Sequence, residues 1–249
     1  MPTASPLDQL TLLDIHELDT RFATLVHAKR SHETHAQLQS LDAQISALDA
    51  RMLASRTGLA DTRRELKRAE QDVEQVLTRL TKDRELLDSG KLGHKDAMSV
   101  TEEIASLTRR QDVVEQVQLE VMERVEGTEA ALTQLDAMHA DLVQQRGDVQ
   151  GEQVQAFADL KAQAVEVAGE RKRLAAQVDP QLLKLYEATK QRLGSGAAAL
   201  RAGRCTGCGL ELNPGDLDAA RTAPADAILR CEECGRILVR DFTDDSDAD

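Results

Sequence analysis

Apolar residues first recur at helical spacing in Ile15, Leu18, Phe22 and Leu25. A longer register then starts at Leu38. Stepping three and four residues alternately gives Leu38, Leu41, Ile45, Leu48, Met52, Ser55, Leu59, Thr62, Leu66, Ala69, Val73, Val76, Leu80, Asp83 and Leu87. Twelve of these fifteen are apolar, and a heptad seam sustained over that length predicts a coiled coil. The seam stops at residues 88–94, where Gly90 and Gly93 permit a chain reversal. A second frame follows through Val100, Ile104, Leu107, Val114, Val121, Val125, Leu132, Leu135, Leu142, Val149, Ala156, Leu160, Val167 and Leu174. It ends before Asp179-Pro180, because the residue ahead of a proline is pushed out of the helical region.

Two arms of nearly equal length, roughly 7–87 and 95–178, flank one turn. The expected fold is therefore mainly α, a long antiparallel coiled-coil helical hairpin. With the turn centred near residue 91, residue i should face roughly residue 182 − i. The first arm loses its register between Val26 and Gln37, and the second carries Gly147 and Gly151 at the matching height, which predicts a joint in both arms. A shorter helix is expected over 181–193, stopped by Gly194-Ser-Gly196. Beyond it, Ala197 to Leu200 and Ile237 to Val239 are short strand candidates, and Asn213-Pro214 should cap a small helix through about Ala220. The expected division is a hairpin with its linking helix over 1–193, a small module over 194–243, and an acidic tail over 244–249.

Composition agrees with helices that meet along narrow seams. Aromatics are 2 % of the 249 residues, with no Trp, one Tyr and three Phe, so a compact core built on large rings is excluded. The formal net charge of −13 gives no global attraction for nucleic acid, and any such contact would need a local patch. The N-terminus lacks a basic-then-apolar signal pattern, and no apolar run approaches the ~18 residues of a membrane span. A cytoplasmic location is expected.

All four cysteines lie in the C-terminal module, as Cys205-Thr-Gly-Cys208-Gly209 and Cys231-Glu-Glu-Cys234-Gly235. Each pair sits on one tight turn, and the glycine that follows lets backbone amides point at the thiolates. Two such turns complete a tetrahedron around one structural Zn²⁺. Thioredoxin-like redox chemistry wants a single such pair at a helix N-terminus in a βαβ setting. Iron–sulfur sites usually group three cysteines closely. Neither pattern is present, so a C4 zinc ribbon is expected. Four thiolates on one Zn²⁺ carry a formal charge of −2, which Arg204, Arg230 and Arg236 are placed to offset. Residues 196–243 hold six arginines, no lysine and seven acidic residues, so the ribbon is not a basic module. With every coordination position taken by cysteine, the metal keeps no open place for substrate. The six histidines are scattered, and no phosphate loop or nucleophile motif occurs. No enzyme, catalytic residue or small-molecule substrate is expected.

Arg63, Arg64, Lys67 and Arg68 occupy adjacent turns of the first arm, and the facing rule brings Arg109 and Arg110 within about a turn and a half of Arg68. This is the candidate patch for an anionic partner, although Glu65 and Glu70 interleave with it as on a solvated coiled-coil face. Arg171, Lys172 and Arg173 should pair with Asp8 and Asp14 at the hairpin base.

The two knuckles, the small helix between them, the ending Cys234-Gly-Arg-Ile-Leu-Val-Arg240 and the run Thr108-Arg-Arg-Gln-Asp-Val-Val-Glu115 resemble the bacterial C4-type zinc-ribbon, coiled-coil hairpin family. Members of that family are described as nucleic-acid binding, with relatives linked to flagellar regulation and an alternative sigma factor. The resemblance implies that Cys205, Cys208, Cys231 and Cys234 are the metal ligands. The tip departs from the family's Gly-Thr-like turn by reading Gly90-Lys-Leu-Gly93, so no partner site there is carried over. Two functions are expected to compete. One is a non-enzymatic adaptor or chaperone-like protein that binds a protein partner, with a place in transcriptional regulation. The other is a regulator that binds RNA or DNA. No membrane association is expected.

Overall fold

A computed structural model describes residues 3–240, and the expected acidic tail at 244–249 lies outside the described residues. Four helices carry most of the chain: α1 (Pro6–Arg30), α2 (Thr34–Asp88), α3 (His94–Ala175) and α4 (Pro180–Leu193). Local chemistry sets their ends. The Ser5 hydroxyl accepts from the Asp8 N–H ahead of Pro6, and the Asp179 carboxylate accepts from the N–H groups of Gln181 and Leu182 ahead of α4. Gly194 closes α4 at φ +80°, and Gly90 makes the turn after α2 at φ +64°. The chain separates into two compact units, one of residues 34–151 and the other of the residues up to 33 together with those from 152 onward.

The predicted joint is realised in one arm only. Ser31 ends α1, its N–H and its hydroxyl both donating to the His27 carbonyl, and α2 restarts at Thr34. By contrast α3 runs without interruption through Gly147 and Gly151. A helix tolerates isolated glycines at a cost of about 1 kcal/mol each when its hydrogen bonds continue.

In the 34–151 unit all fifteen positions of the first heptad frame are buried or half-buried, Ser55, Thr62 and Asp83 included. The second frame behaves in the same way along α3. Leu48, Met52 and Leu59 pack with Val125, Leu132 and Leu135 in one apolar cluster, which closes the seam between the antiparallel helices. Asp83, only 6 % exposed, is held in the seam by Arg79, which also reaches Glu103. That pair fits the facing rule, but the register slides farther from the turn. Glu65 meets Arg124 and Arg63 meets Glu129, seven and ten residues beyond the expected partners. Equal counting from the turn presumes equal advance along both helices, and seam packing does not preserve it.

The other unit contains α1, the C-terminal part of α3, α4 and the ribbon. Its sheet joins β1 (Ala197–Arg201), β2 (Arg204–Cys205), β3 (Leu229–Arg230) and β4 (Ile237–Arg240) in the order β2-β1-β4-β3. Strands β1 and β4 run parallel, with Ala197 opposite Ile237, and each pairs antiparallel with its outer neighbour. Both inner strands are covered on two faces. Ala197, Ile237 and Val239 pack with Leu12, Ile15, Leu182 and Tyr186 of α1 and α4. Ala198, Leu200 and Leu238 pack with the cysteines and with Ala220 of α5 (Pro214–Thr222), the helix capped by Asn213. The two-residue period of a strand thus divides one sheet between a helical core and a metal core. The chain's beginning is stitched to the same unit: Ala4 N–H donates to the Asp226 carbonyl, and Thr3 pairs with Ala227.

Candidate metal centre

The two cysteine turns are built alike. In each, the first cysteine's N–H donates to the carbonyl five residues on, Leu210 or Arg236, at 3.0 Å, and its carbonyl accepts from the glycine four residues on at 2.8 Å. Those glycines, Gly209 and Gly235, take φ of +74° and +72°, a conformation with a steric cost for any side chain. Backbone N–H groups of Gly207 and Cys208 point at the Cys205 sulfur, and those of Glu233 and Cys234 at the Cys231 sulfur.

The four sulfurs lie within 4.8 Å of one another, with Cys205 to Cys234 at 3.8 Å and Cys208 to Cys231 at 3.9 Å. A tetrahedron with ~2.3 Å zinc–sulfur bonds has edges of about 3.8 Å, so the donor set fits one zinc ion. Cys205 and Cys231 are buried and Cys208 and Cys234 half-buried. As free thiols they differ: burial pushes Cys205 up to about 12. Burial also opposes ionisation of Cys234, but the N–H and guanidinium of Arg236 outweigh it and bring that thiol to about 7. Zinc binding releases such protons, so the metal is held less tightly as pH falls.

The flanking arginines serve three ends. Arg236 lies across Gly207, where a Cβ would come within 2.8 Å of its side chain, and donates to Cys234. Arg230 donates to the Gly235 carbonyl and Arg204 pairs with Glu211. Of the three expected neutralisers, only Arg236 reaches a sulfur directly. Arg240 spans the carbonyls of Ala220, Ala223, Pro224, Ala225 and Ala227, tying β4 to the end of α5.

Beneath the ribbon lies a polar cluster that sequence reasoning missed. Asp19, with a side chain 9 % exposed, accepts from Arg171, Lys190 and the Tyr186 hydroxyl, and Arg171 also reaches Glu187. Burial disfavours the Asp19 carboxylate, but those donors outweigh it and hold its pKa below the ordinary value. The expected partners of Arg171, Asp8 and Asp14, are not its partners; Asp8 accepts from the Asp179 N–H. The available signal was Tyr186, the chain's only tyrosine, whose hydroxyl needs a partner once the ring is buried. Alongside, His16 places Nδ1 3.4 Å from the Ser195 hydroxyl. Desolvation lowers its pKa, with Arg236 and Lys190 assisting and Asp19 opposing.

The candidate anionic-partner patch is not gathered into one surface. Arg63 is paired with Glu129 and Arg64 with Asp61. Because Glu65 meets Arg124, the stretch near residue 120 faces Arg68, about ten residues and ~15 Å of helix beyond Arg109 and Arg110. Lys67, Arg68, Arg109 and Arg110 are exposed, and no ion pair is recorded for them among the described residues.

A hairpin of two seam-packed helices with a four-cysteine zinc ribbon defines the class: a coiled-coil protein with a structural metal site. Residues 15–194 match the CT398-like coiled coil hairpin domain and residues 204–238 the C4-type zinc ribbon domain, and the chain belongs to this family. It is 33 % identical over 243 residues to the uncharacterized protein Rv2229c of Mycobacterium tuberculosis, covering 95 % of this chain and 97 % of that protein. A solved structure from Mycobacterium smegmatis superposes with a TM-score of 0.83 at 29 % identity, covering 96 % of this chain and all of that one. CT398 from Chlamydia trachomatis shares the fold, with a TM-score of 0.66 at 18 % identity over 94 % of this chain and 98 % of that one.

Proposed function

We propose that this protein is a non-enzymatic, zinc-stabilised coiled-coil adaptor of the cytoplasm that binds a protein partner, with a place in transcriptional regulation. The observation that carries the reading is the set of large apolar side chains left on the outside of the helices after the seam is filled. Leu53, Met98, Val113, Leu119 and Met138 are all more than half exposed, and apolar side chains left outside the seam offer a protein partner surface that gains by being buried. The closed four-thiolate site supports a structural metal without turnover. No helix among the described residues is long and apolar enough to cross a membrane. Crosslinking followed by affinity capture and mass spectrometry should recover a specific protein at physiological salt. Recovery of RNA or DNA in place of protein overturns the reading.

A second reading, a nucleic-acid-binding regulator, draws support from the exposed cations Lys67, Arg68, Arg109 and Arg110. Charge reversal at these four should abolish a salt-sensitive gel shift if phosphate contacts account for binding. Ribbon arginines lend it less support, since Arg204, Arg230, Arg236 and Arg240 all have internal acceptors.

A further inference from the structure

Within the ribbon unit, α4, α5 and the β3–β4 edge enclose a cleft of about 420 Å³, within the size range of ligand sites. Its apolar lining is incompletely covered: Leu185, Leu212, Ile228 and Leu229 are all half-buried. Ala219 of α5 and Ala223, just past the end of that helix, contribute to the wall, and their small side chains leave the space open. The charged residues of the lining are Asp216, Glu232 and the single cation Arg230. Arg230 donates to the Gly235 carbonyl, whereas no ion pair is recorded for Glu232 among the described residues. Glu232 also lies between the ligands Cys231 and Cys234, where four thiolates on one zinc add a formal charge of −2. An apolar floor beneath a negative mouth selects against phosphate and favours an apolar group carried between cations.

We propose that this cleft receives one large apolar side chain of a partner segment that carries lysine or arginine on both sides of that anchor. The proposal rests on the adaptor reading and names the chemistry of the partner at one place on it. Anchor-in-pocket contacts surrounded by complementary charge are how compact interfaces concentrate affinity.

The test uses the zinc-loaded full chain and two synthetic helical peptides sharing one leucine stripe, one flanked by lysines and the other by glutamates. Amide chemical shifts and fluorescence anisotropy should show saturable binding of the lysine peptide, with shifts at Ala219, Ala223 and Ile228. Binding should weaken as salt rises, and the glutamate peptide should bind at least tenfold more weakly. Ala219→Leu, at an exposed helix position, fills the cleft and should cost at least tenfold. Glu232→Gln should narrow the preference between the peptides while zinc content stays at one per chain. Equal binding of the two peptides, shifts confined to residues 34–151, no effect of Ala219→Leu, or shifts that appear with protein concentration alone would each overturn the proposal. In crosslinked capture, a partner recovered equally by the Ala219→Leu protein removes the cleft and leaves the adaptor reading standing. No specific protein from either form removes both.

Discussion

Gly196 sits where α4 passes under the first strand, and it is the position least able to accept a side chain. A Cβ there would come 2.5 Å from Tyr186 Cδ2 and 2.7 Å from the Tyr186 carbonyl oxygen, and one of those atoms is backbone. Gly196→Ala should therefore cost about 2–3 kcal/mol, read as a lower denaturation midpoint for the ribbon unit. A change within 0.5 kcal/mol would mean that the strand shifts freely over α4. The same neighbourhood makes the unit acid-sensitive. His16 and Asp19 both have pKa values below their ordinary 6.5 and 3.8. The folded state thus binds fewer protons than the unfolded chain, unfolding takes protons up, and stability falls with pH. Loss should begin as pH drops below about 6.5 through His16 and steepen below about 3.8 through Asp19. With zinc held saturating, His16→Asn should shrink the upper step in a denaturation series and leave the lower one. A midpoint unchanged between pH 7 and 5.5 in the unmutated protein contradicts the His16 assignment.

At the scale of elements, the sequence revealed the seams and hid their relative placement. Leu38 through Leu87 form a one-dimensional pattern, and each position is where the pattern puts it because helix geometry converts spacing directly into a face. The cysteine turns were legible for a similar reason, since ligand spacing and the following glycine are local. Asp19, Arg171 and Tyr186 were not, because each reads alone as an ordinary helix residue and they meet across more than 150 residues of chain. The joint was half legible. Arm one breaks at residues 31–33, yet Phe157 of α3 lies there with His32 edge-on at 5.7 Å and the Lys29 ammonium 5.2 Å from its ring centre. An aromatic side chain therefore holds the break from the unbroken helix. Gly147 and Gly151 have open space where a Cβ would stand, so replacing both by alanine should stiffen α3 and stabilise it by about 1–2 kcal/mol. Slower amide exchange across 145–156 is the expected signature; unchanged exchange there would show that the glycines are not its weak point.

For the molecule as a whole, the shared sheet changes what metal loss should do. An independently folded ribbon would unfold by itself when Cys205 is replaced by Ser, leaving the helices intact. Because Ile237 and Val239 pack on Leu12, Ile15 and Leu182, the loss should spread into α1 and α4. The 34–151 unit has its own seam and should keep its protection. Exchange mapping of Cys205→Ser should show rapid exchange over 6–30, 180–193 and the ribbon, with 34–88 and 94–151 little changed, and elemental analysis should fall from one zinc per chain to well below one. Retained protection in α1 would restore the picture of a separable module.

The pairing of the chain's first helix with its last strand also sets a schedule for its birth. Leu12 and Ile15 are fully enclosed in the finished protein, but Ile237 leaves the ribosome more than two hundred residues after them. At roughly 5–20 residues per second that is an interval on the order of 10–45 s. Through it the opening helix waits without the strand that completes its cover, while the long helices behind it already have the means to close on each other.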